Sequence, residues 1–117
     1  MANLDGRAGA FLPLTEPTYL VLAALAEPRH GYGIMQHVET LSDRRVKLGP
    51  GTLYGALNNL LRQKLIRRAG ETGTNSERRK VYALTPLGER VLLLEGERLT
   101  TLSKVAIQIS RRLGEVR

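Results

Sequence analysis

The chain has 117 residues, the size of one domain, and its 42% hydrophobic and 25% charged residues indicate a globular protein rather than a disordered one. It contains no cysteine, which excludes disulfide scaffolds, thiolate zinc sites and cysteine nucleophiles, and its longest apolar run is far shorter than the ~20 residues of a membrane-spanning helix. Eighteen Lys and Arg against eleven Asp and Glu give a net charge of +7. We therefore expect a cytoplasmic chain with an anionic partner.

The basic excess is concentrated in the middle third of the chain. Residues 44–80 contain ten Lys and Arg but only two acids, Glu71 and Glu77, which gives this block a net charge of +8 and leaves the rest at −1. Charges that served solubility alone would be spread along the sequence. The block therefore favours a nucleic-acid partner.

The first elements are an arm and two helices. Residues 1–14 are rich in Gly and Ala without a hydrophobic period, and we predict a loosely docked N-terminal arm. A first helix is predicted from the N-cap Thr15 to the pair Glu27-Pro28. His30-Gly31 interrupts the chain, and a second helix is predicted from the helical spacing of Ile34, Met35, Val38 and Leu41.

A third helix is predicted from Thr52 to about Lys64, because one face is apolar at positions i, i+4, i+7 and i+8: Leu53, Leu57, Leu60 and Leu61. Its opposite face is small, polar and free of acids, unlike most purely structural surface helices. The period then changes to that of strands. Two strands are predicted, over residues 65–68 and 79–84, with a polar hairpin loop between them.

The last predicted helix begins at Thr85-Pro86, a cap followed by a favourable first residue. Its distal apolar residues alternate three- and four-residue spacings, which is typical of a short coiled-coil seam: Leu99, Leu102, Ala106, Ile109, Leu113 and Val116. We interpret this stripe as a dimer seam. Burial of the stripe within one subunit is the alternative.

Three helices followed by a hairpin are the order of a winged helix-turn-helix. In that fold the third helix rests on the first two and turns its other face outward, at a size that the ~12 Å major groove of DNA admits. The basic block coincides with this helix and hairpin. The predicted fold is therefore mainly α with a small β-hairpin: a winged helix-turn-helix over residues 15–85 and a dimerisation helix over residues 86–117.

Three segments resemble the PadR family of winged-helix transcriptional regulators: His-Gly-Tyr at 30–32, Gly-Thr-Leu-Tyr-Gly-Ala-Leu at 51–57, and Arg-Lys-Val-Tyr-Ala-Leu-Thr-Pro-Leu-Gly at 79–88. Two positions depart from the family pattern. Gly55 stands where proline is usual, and Lys64 stands where glycine usually follows the recognition helix. Because Lys64 carries a Cβ at an expected left-handed cap, we expect this helix to end differently.

The resemblance implies a homodimeric repressor that binds operator DNA and releases it in response to a signal. The residues it predicts to bind DNA are Gly51, Thr52, Tyr54, Asn58, Arg62, Arg67, Arg68, Asn75, Arg78, Arg79 and Lys80. Asn58 is the candidate for a base contact, since an amide can pair bidentately with adenine, and Asn75 is the candidate for the minor groove. A half-buried core role for Tyr54 and a merely solvated role for Asn58 are the alternatives.

Nothing in the sequence resembles a catalytic site. Its two histidines, His30 and His37, have no metal-binding spacing, and residues 49–52 lack the Gly-Lys-Ser/Thr ending of a phosphate loop. We therefore expect no enzyme, no metal and no cofactor. The rival function is a basic coiled-coil adaptor or a non-specific nucleic-acid-binding module. A small-molecule effector is implied by the resemblance only, and its identity stays open because the chain has one Phe and no Trp.

Overall fold

The computed structural model describes residues 4–74 and 78–116, with side chains as far as residue 114. The elements in chain order are α1 (Leu4–Gly9), α2 (Glu16–Ala24), β1 (Arg29–His30), α3 (Gly31–Leu41), α4 (Pro50–Arg62), β2 (Ile66–Thr72), β3 (Arg79–Leu84) and α5 (Pro86–Val116). This order confirms the predicted winged helix-turn-helix followed by a long helix. None of the described helices is both long and apolar enough to cross a membrane.

The helix starts follow from local capping. Thr15 is the N-cap of α2, and its Oγ1 accepts a hydrogen bond from the Thr18 N–H at 3.3 Å. His30 is the N-cap of α3, and its Nδ1 accepts from the Gly33 N–H at 3.0 Å. The N-cap of α4 is Gly49, which offers no side-chain acceptor.

The core lies where α2, α3 and α4 meet. The predicted leucine face of α4 is buried at Leu53, Leu57 and Leu60, and it packs in one cluster with Leu22 of α2 and Ile34 of α3. Burial of one face forces the other face of α4 outward.

Within the described residues the sheet has three strands, where the sequence predicted two. The strand order is β1-β3-β2, and both pairs are antiparallel. The unpredicted strand β1 is only two residues long, with His30 paired to Val81. Strand β2 extends past the predicted end at residue 68, because Glu71 and Thr72 pair with β3 beyond a bulge.

The C-terminus of α4 keeps the left-handed cap although glycine is absent. Lys64 has φ of 63°. Its N–H donates to the Leu61 carbonyl and the Leu65 N–H donates to the Leu60 carbonyl, both at 3.0 Å, which is the Schellman pattern. Thr85 Oγ1 donates to the Lys64 carbonyl at 2.7 Å and holds the turn from outside. The expectation that this helix ends differently is therefore wrong.

The N-terminal segment is docked, not loose. Residues 4–9 form α1, whose Ala8 is fully buried. Asp5 forms an ion pair with Arg90 of α5, and the Leu14 N–H donates to Glu95 Oε2 at 2.9 Å. A six-residue helix that buries one alanine is too short to show a hydrophobic period, so this helix could not be predicted from the sequence.

Helix α5 leaves the domain about a third of the way along its length. Leu87, Val91 and Glu95 are buried on the domain, and residues 100–114 are all exposed. Close packing at its start requires glycine, because a Cβ on Gly88 would collide with the Leu65 carbonyl oxygen.

Candidate nucleic-acid interface

The outward face of α4 is small and polar. Gly51, Thr52, Gly55, Asn58 and Arg62 are exposed on it. No side chain caps the start of α4, so its first-turn N–H groups have no side-chain acceptor and favour an anion such as a phosphate.

A groove of about 370 Å³ runs between α4 and the hairpin formed by β2 and β3, which we call the wing. The groove is lined by Tyr54, Asn58, Arg68, Arg78, Arg79, Lys80 and Tyr82. Four of these seven side chains are cationic and none is a carboxylate, so the groove concentrates positive potential beside the outward face of α4.

Six predicted DNA-binding residues meet in this groove: Tyr54, Asn58, Arg68, Arg78, Arg79 and Lys80. Arg67 does not line it, because neighbouring strand residues point to opposite faces and Arg68 takes the groove side. Gly51 and Thr52 lie at the start of α4, outside the groove lining.

Two further predicted residues are placed differently. Arg62 lies at the far end of α4, where its Nη2 donates to Asn59 Oδ1 at 2.9 Å. Asn75 lies outside the described residues. Arg62 is not part of the groove lining.

Tyr54 lies at the border between core and groove. Its side chain is 43% exposed, and its hydroxyl covers Gly31 so closely that a Cβ there would collide with it. The proposed DNA contact of Tyr54 and its core role both stay predictions. Its ring still lines the groove.

Tyr82 is a groove residue that sequence reasoning missed. It is 3% exposed and forms part of the wall beneath the cations. Burial raises the pKa of its hydroxyl, and the nearby charge of Arg68 opposes that shift. The signal in the sequence was its alternation with Lys80 along the strand, which places both on one face.

The basic block is not uniformly free. Arg45 forms an ion pair with Glu16, and the hydrogen bond from its guanidinium lowers the pKa of that carboxyl. In the wing, Arg78 Nε lies 3.4 Å from Glu71 Oε1. The net charge of the block therefore overstates the number of cations available to a partner.

The predicted dimer seam is exposed in the single chain. Leu102, Ile109 and Leu113 are 52%, 48% and 64% exposed. Ala106 is also exposed, Leu99 is half-buried, and the side chain of Val116 lies outside the described part of α5. An apolar stripe of this length without a cover is typical of an interaction surface.

Two other grooves lie away from the wing. One, of about 690 Å³, lies between α2 and α5 and is lined by Tyr19, Leu92, Leu93, Gly96, Glu97, Thr100 and Thr101. The other, of about 580 Å³, follows the outer face of α3. Among the described residues, no group of three or more His, Asp or Glu is placed to hold a metal ion.

Comparison with known proteins identifies the family. The model of the transcriptional regulator PadR-like family matches residues 20–93. An uncharacterized 37.1 kDa protein of transposon Tn4556 from Streptomyces fradiae is 44% identical over 85 residues, which cover 72% of this chain but 23% of that protein. The chain thus spans about a quarter of the length of this relative.

Solved structures have the same architecture. A PadR family transcriptional regulator from Eggerthella lenta is 27% identical, with a TM-score of 0.64 over 91% of this chain and 86% of that one. Bacillus subtilis PadR, solved in complex with operator DNA, is 22% identical, with a TM-score of 0.58 over 68% of this chain and 45% of that one, a likeness of fold. The resemblance seen in the sequence is confirmed, and a family of regulators agrees with the expectation of a non-enzyme. This chain belongs to the PadR-like family of transcriptional regulators.

Proposed function

We propose that this protein is a cytoplasmic, homodimeric repressor that binds duplex operator DNA through residues 15–85 and dimerises through residues 86–117. The observation that carries the proposal is the cationic groove directly beside the acid-free face of α4. Duplex recognition requires two adjacent surfaces of different chemistry: a polar helix face that contacts bases and a cationic wing that contacts phosphates.

Each predicted residue has a role in this arrangement. Helix α4 enters the major groove, and Asn58, exposed on its outer face, reads a base edge. The N–H groups of Gly51 and Thr52, with the Tyr54 side chain that lines the groove, bind a phosphate at the helix start. The groove cations Arg68, Arg78, Arg79 and Lys80 bind the flanking backbone.

Arg62, Arg67 and Asn75 complete the set of proposed DNA-binding residues. Arg62 and Arg67 are exposed outside the groove lining, where they can reach phosphates that flank the site. Asn75 is assigned to the minor groove from the sequence alone.

Dimerisation is supported by the stripe on α5. Leu99, Leu102, Ala106, Ile109, Leu113 and Val116 follow seam spacing, and those with described side chains from Leu102 onward are exposed. A second copy would cover the stripe and supply a second DNA-binding domain. Two half-sites about one helical turn of DNA (~34 Å), or a multiple of it, then follow.

A small-molecule effector would bind near the dimer helix. The groove between α2 and α5 supports this part of the proposal, because it combines the apolar Leu92 and Leu93 with the hydroxyls of Tyr19, Thr100 and Thr101. A ligand there would contact α5 just where it leaves the domain. The proposal commits to no effector class.

The solved complex of Bacillus subtilis PadR with operator DNA supports the same reading, since that protein shares this fold. The experiment is selection of bound duplexes from a random-sequence pool. A repressor of this kind returns a palindromic consensus whose half-sites have the spacing given above. Binding without a consensus would indicate a non-specific module, and no enrichment would indicate an adaptor.

A further inference from the structure

The His-Gly-Tyr segment at residues 30–32 lies between α4 and the wing. His30 pairs with Val81 in the sheet, so its backbone is attached to β3. The His30 side chain caps α3 through the Gly33 N–H. Sheet pairing on one side and capping on the other fix the position of residues 31 and 32.

Helix α4 contacts this segment through Tyr54. The Tyr54 hydroxyl covers Gly31, and any larger residue at 31 would displace it. Because Tyr54 also lines the groove, the segment contacts α4 at a residue that forms part of the groove wall.

The wing contacts the same segment through Arg79. The guanidinium carbon of Arg79 lies 5.6 Å from the centroid of the Tyr32 ring, within cation–π range. Tyr32 is 52% exposed, so the pair lies at the surface.

The two neighbouring wing arginines are held in different ways. Arg78 lies beside the carboxylate of Glu71, which neutralises part of its charge. Arg79 lies on an aromatic ring. A ring holds a guanidinium by its face and leaves the charge and the in-plane N–H donors available to a phosphate.

We propose that Tyr32 is a positioning residue for DNA binding: its ring holds the Arg79 guanidinium in the orientation that meets a phosphate. The proposal rests on the proposed function, and it gives the 30–32 segment a role in setting the spacing between recognition helix and wing. A free arginine loses rotamer freedom when it binds phosphate, and stacking on Tyr32 removes part of that loss beforehand.

A double-mutant cycle tests this, with a mixed-sequence synthetic duplex as the probe and affinity measured over a series of salt concentrations. Tyr32→Leu should weaken binding about two- to fivefold, the value of a cation–π contact at an exposed site. Tyr32→Phe keeps the ring and should bind like the wild type. In the Arg79→Ala background, Tyr32→Leu should have no further effect.

A DNA-free measurement tests the contact itself. The Arg79 Hε proton should show a ring-current shift in the wild type and in Tyr32→Phe. The shift should be absent in Tyr32→Leu, while the amide spectrum stays folded. An Hε resonance that is the same in all three proteins would overturn the proposal.

The affinity outcomes separate this inference from the proposed function. Equal losses from Tyr32→Leu with and without Arg79 would mean that Tyr32 acts by another route, and the inference is wrong. If Arg79→Ala binds normally while Arg68→Ala is impaired, the inference fails and the proposed function stands. If both arginine variants bind normally, both fail.

Discussion

Two exposed surfaces of this molecule differ in chemistry. The groove between α4 and the wing is cationic, with no carboxylate among its described lining residues, and the distal stripe of α5 is apolar. A cationic groove attracts a polyanion over several ångströms, and this attraction weakens as the salt concentration rises. An apolar stripe acts only on contact and is not weakened by charge screening. Salt and substitution can therefore separate binding to DNA from the proposed binding to a second copy.

The largest effect is expected from Ile109→Asp, which breaks the stripe. A charge buried in a seam without a partner costs ~3–5 kcal/mol, enough to dissociate the proposed dimer at micromolar concentration. Sedimentation velocity should show a folded monomer. Ile107→Asp is the matched control, since Ile107 is equally exposed at 51% but lies about 160° around the helix. Equal behaviour of the two variants would refute the seam.

The next effect concerns Glu95, where α5 leaves the domain. The hydrogen bond from Arg98 lowers the pKa of this buried carboxyl, burial opposes that shift, and the Leu14 N–H adds to the lowering. A lowered pKa stabilises the fold above the carboxyl's unfolded pKa, and that contribution disappears as the pH falls through the folded pKa. Glu95→Gln should lower the free energy of unfolding by ~1.5–3 kcal/mol at neutral pH. It should also make the loss of stability between neutral and acidic pH smaller than in the wild type.

Urea unfolding of the wild type and Glu95→Gln at neutral and acidic pH measures both effects. The ion pair of Asp5 with Arg90 is exposed, so Asp5→Asn is the control and should change stability little. A loss of stability between neutral and acidic pH as large in Glu95→Gln as in the wild type would show that Glu95 does not hold the N-terminal segment on α5.

Asn58→Ala alters the groove without changing its charge. Loss of one bidentate base contact should cost ~1–3 kcal/mol at a single operator position and leave binding to mixed-sequence duplex unchanged. Affinities for single-base variants of the selected operator measure this. Asn59→Ala is the control for the base contact, because Asn59 is the same residue type, also exposed on α4, and outside the groove lining. If Asn58→Ala lowered the affinity for all duplexes equally, Asn58 would have no role in specificity.

The smallest expected effect is at the turn that connects α4 to β2. Lys64 has φ of 63°, a conformation that glycine adopts without strain. Lys64→Gly should therefore raise the free energy of unfolding by ~0.5–1 kcal/mol. Gln63→Gly, one residue earlier in helical conformation, should lower it. Thermal unfolding of both variants checks the sign, and destabilisation by Lys64→Gly would contradict the strain argument.

The sequence predicted the elements that have strong periodicity. The leucine face of α4 and the alternation along β3 determine which sides are buried, and the structure confirms the buried face of each element. Helix α1 and strand β1 were missed because six and two residues are too few to show a period, and tertiary contacts stabilise both.

Other details of the site depend on tertiary contacts that local sequence patterns do not reveal. Arg67 and Arg68 are adjacent residues of the same type, so the sequence does not distinguish them. The pairing of β2 with β3 decides which of the two faces the groove. The contact of Arg79 with Tyr32 joins residues far apart in sequence. The left-handed cap at Lys64 is held by Thr85 from the start of α5, which no local pattern reveals.

The most direct test of the groove as the DNA site compares two double variants of equal charge. Arg68→Ala/Lys80→Ala removes two groove cations, and Lys104→Ala/Arg111→Ala removes the same residue types from exposed positions of α5. The measurement is the slope of log affinity for mixed-sequence duplex against log salt. The groove variant should reduce its magnitude by roughly two units and the α5 variant should leave it unchanged. Equal reductions would show that diffuse charge, not the groove, binds DNA.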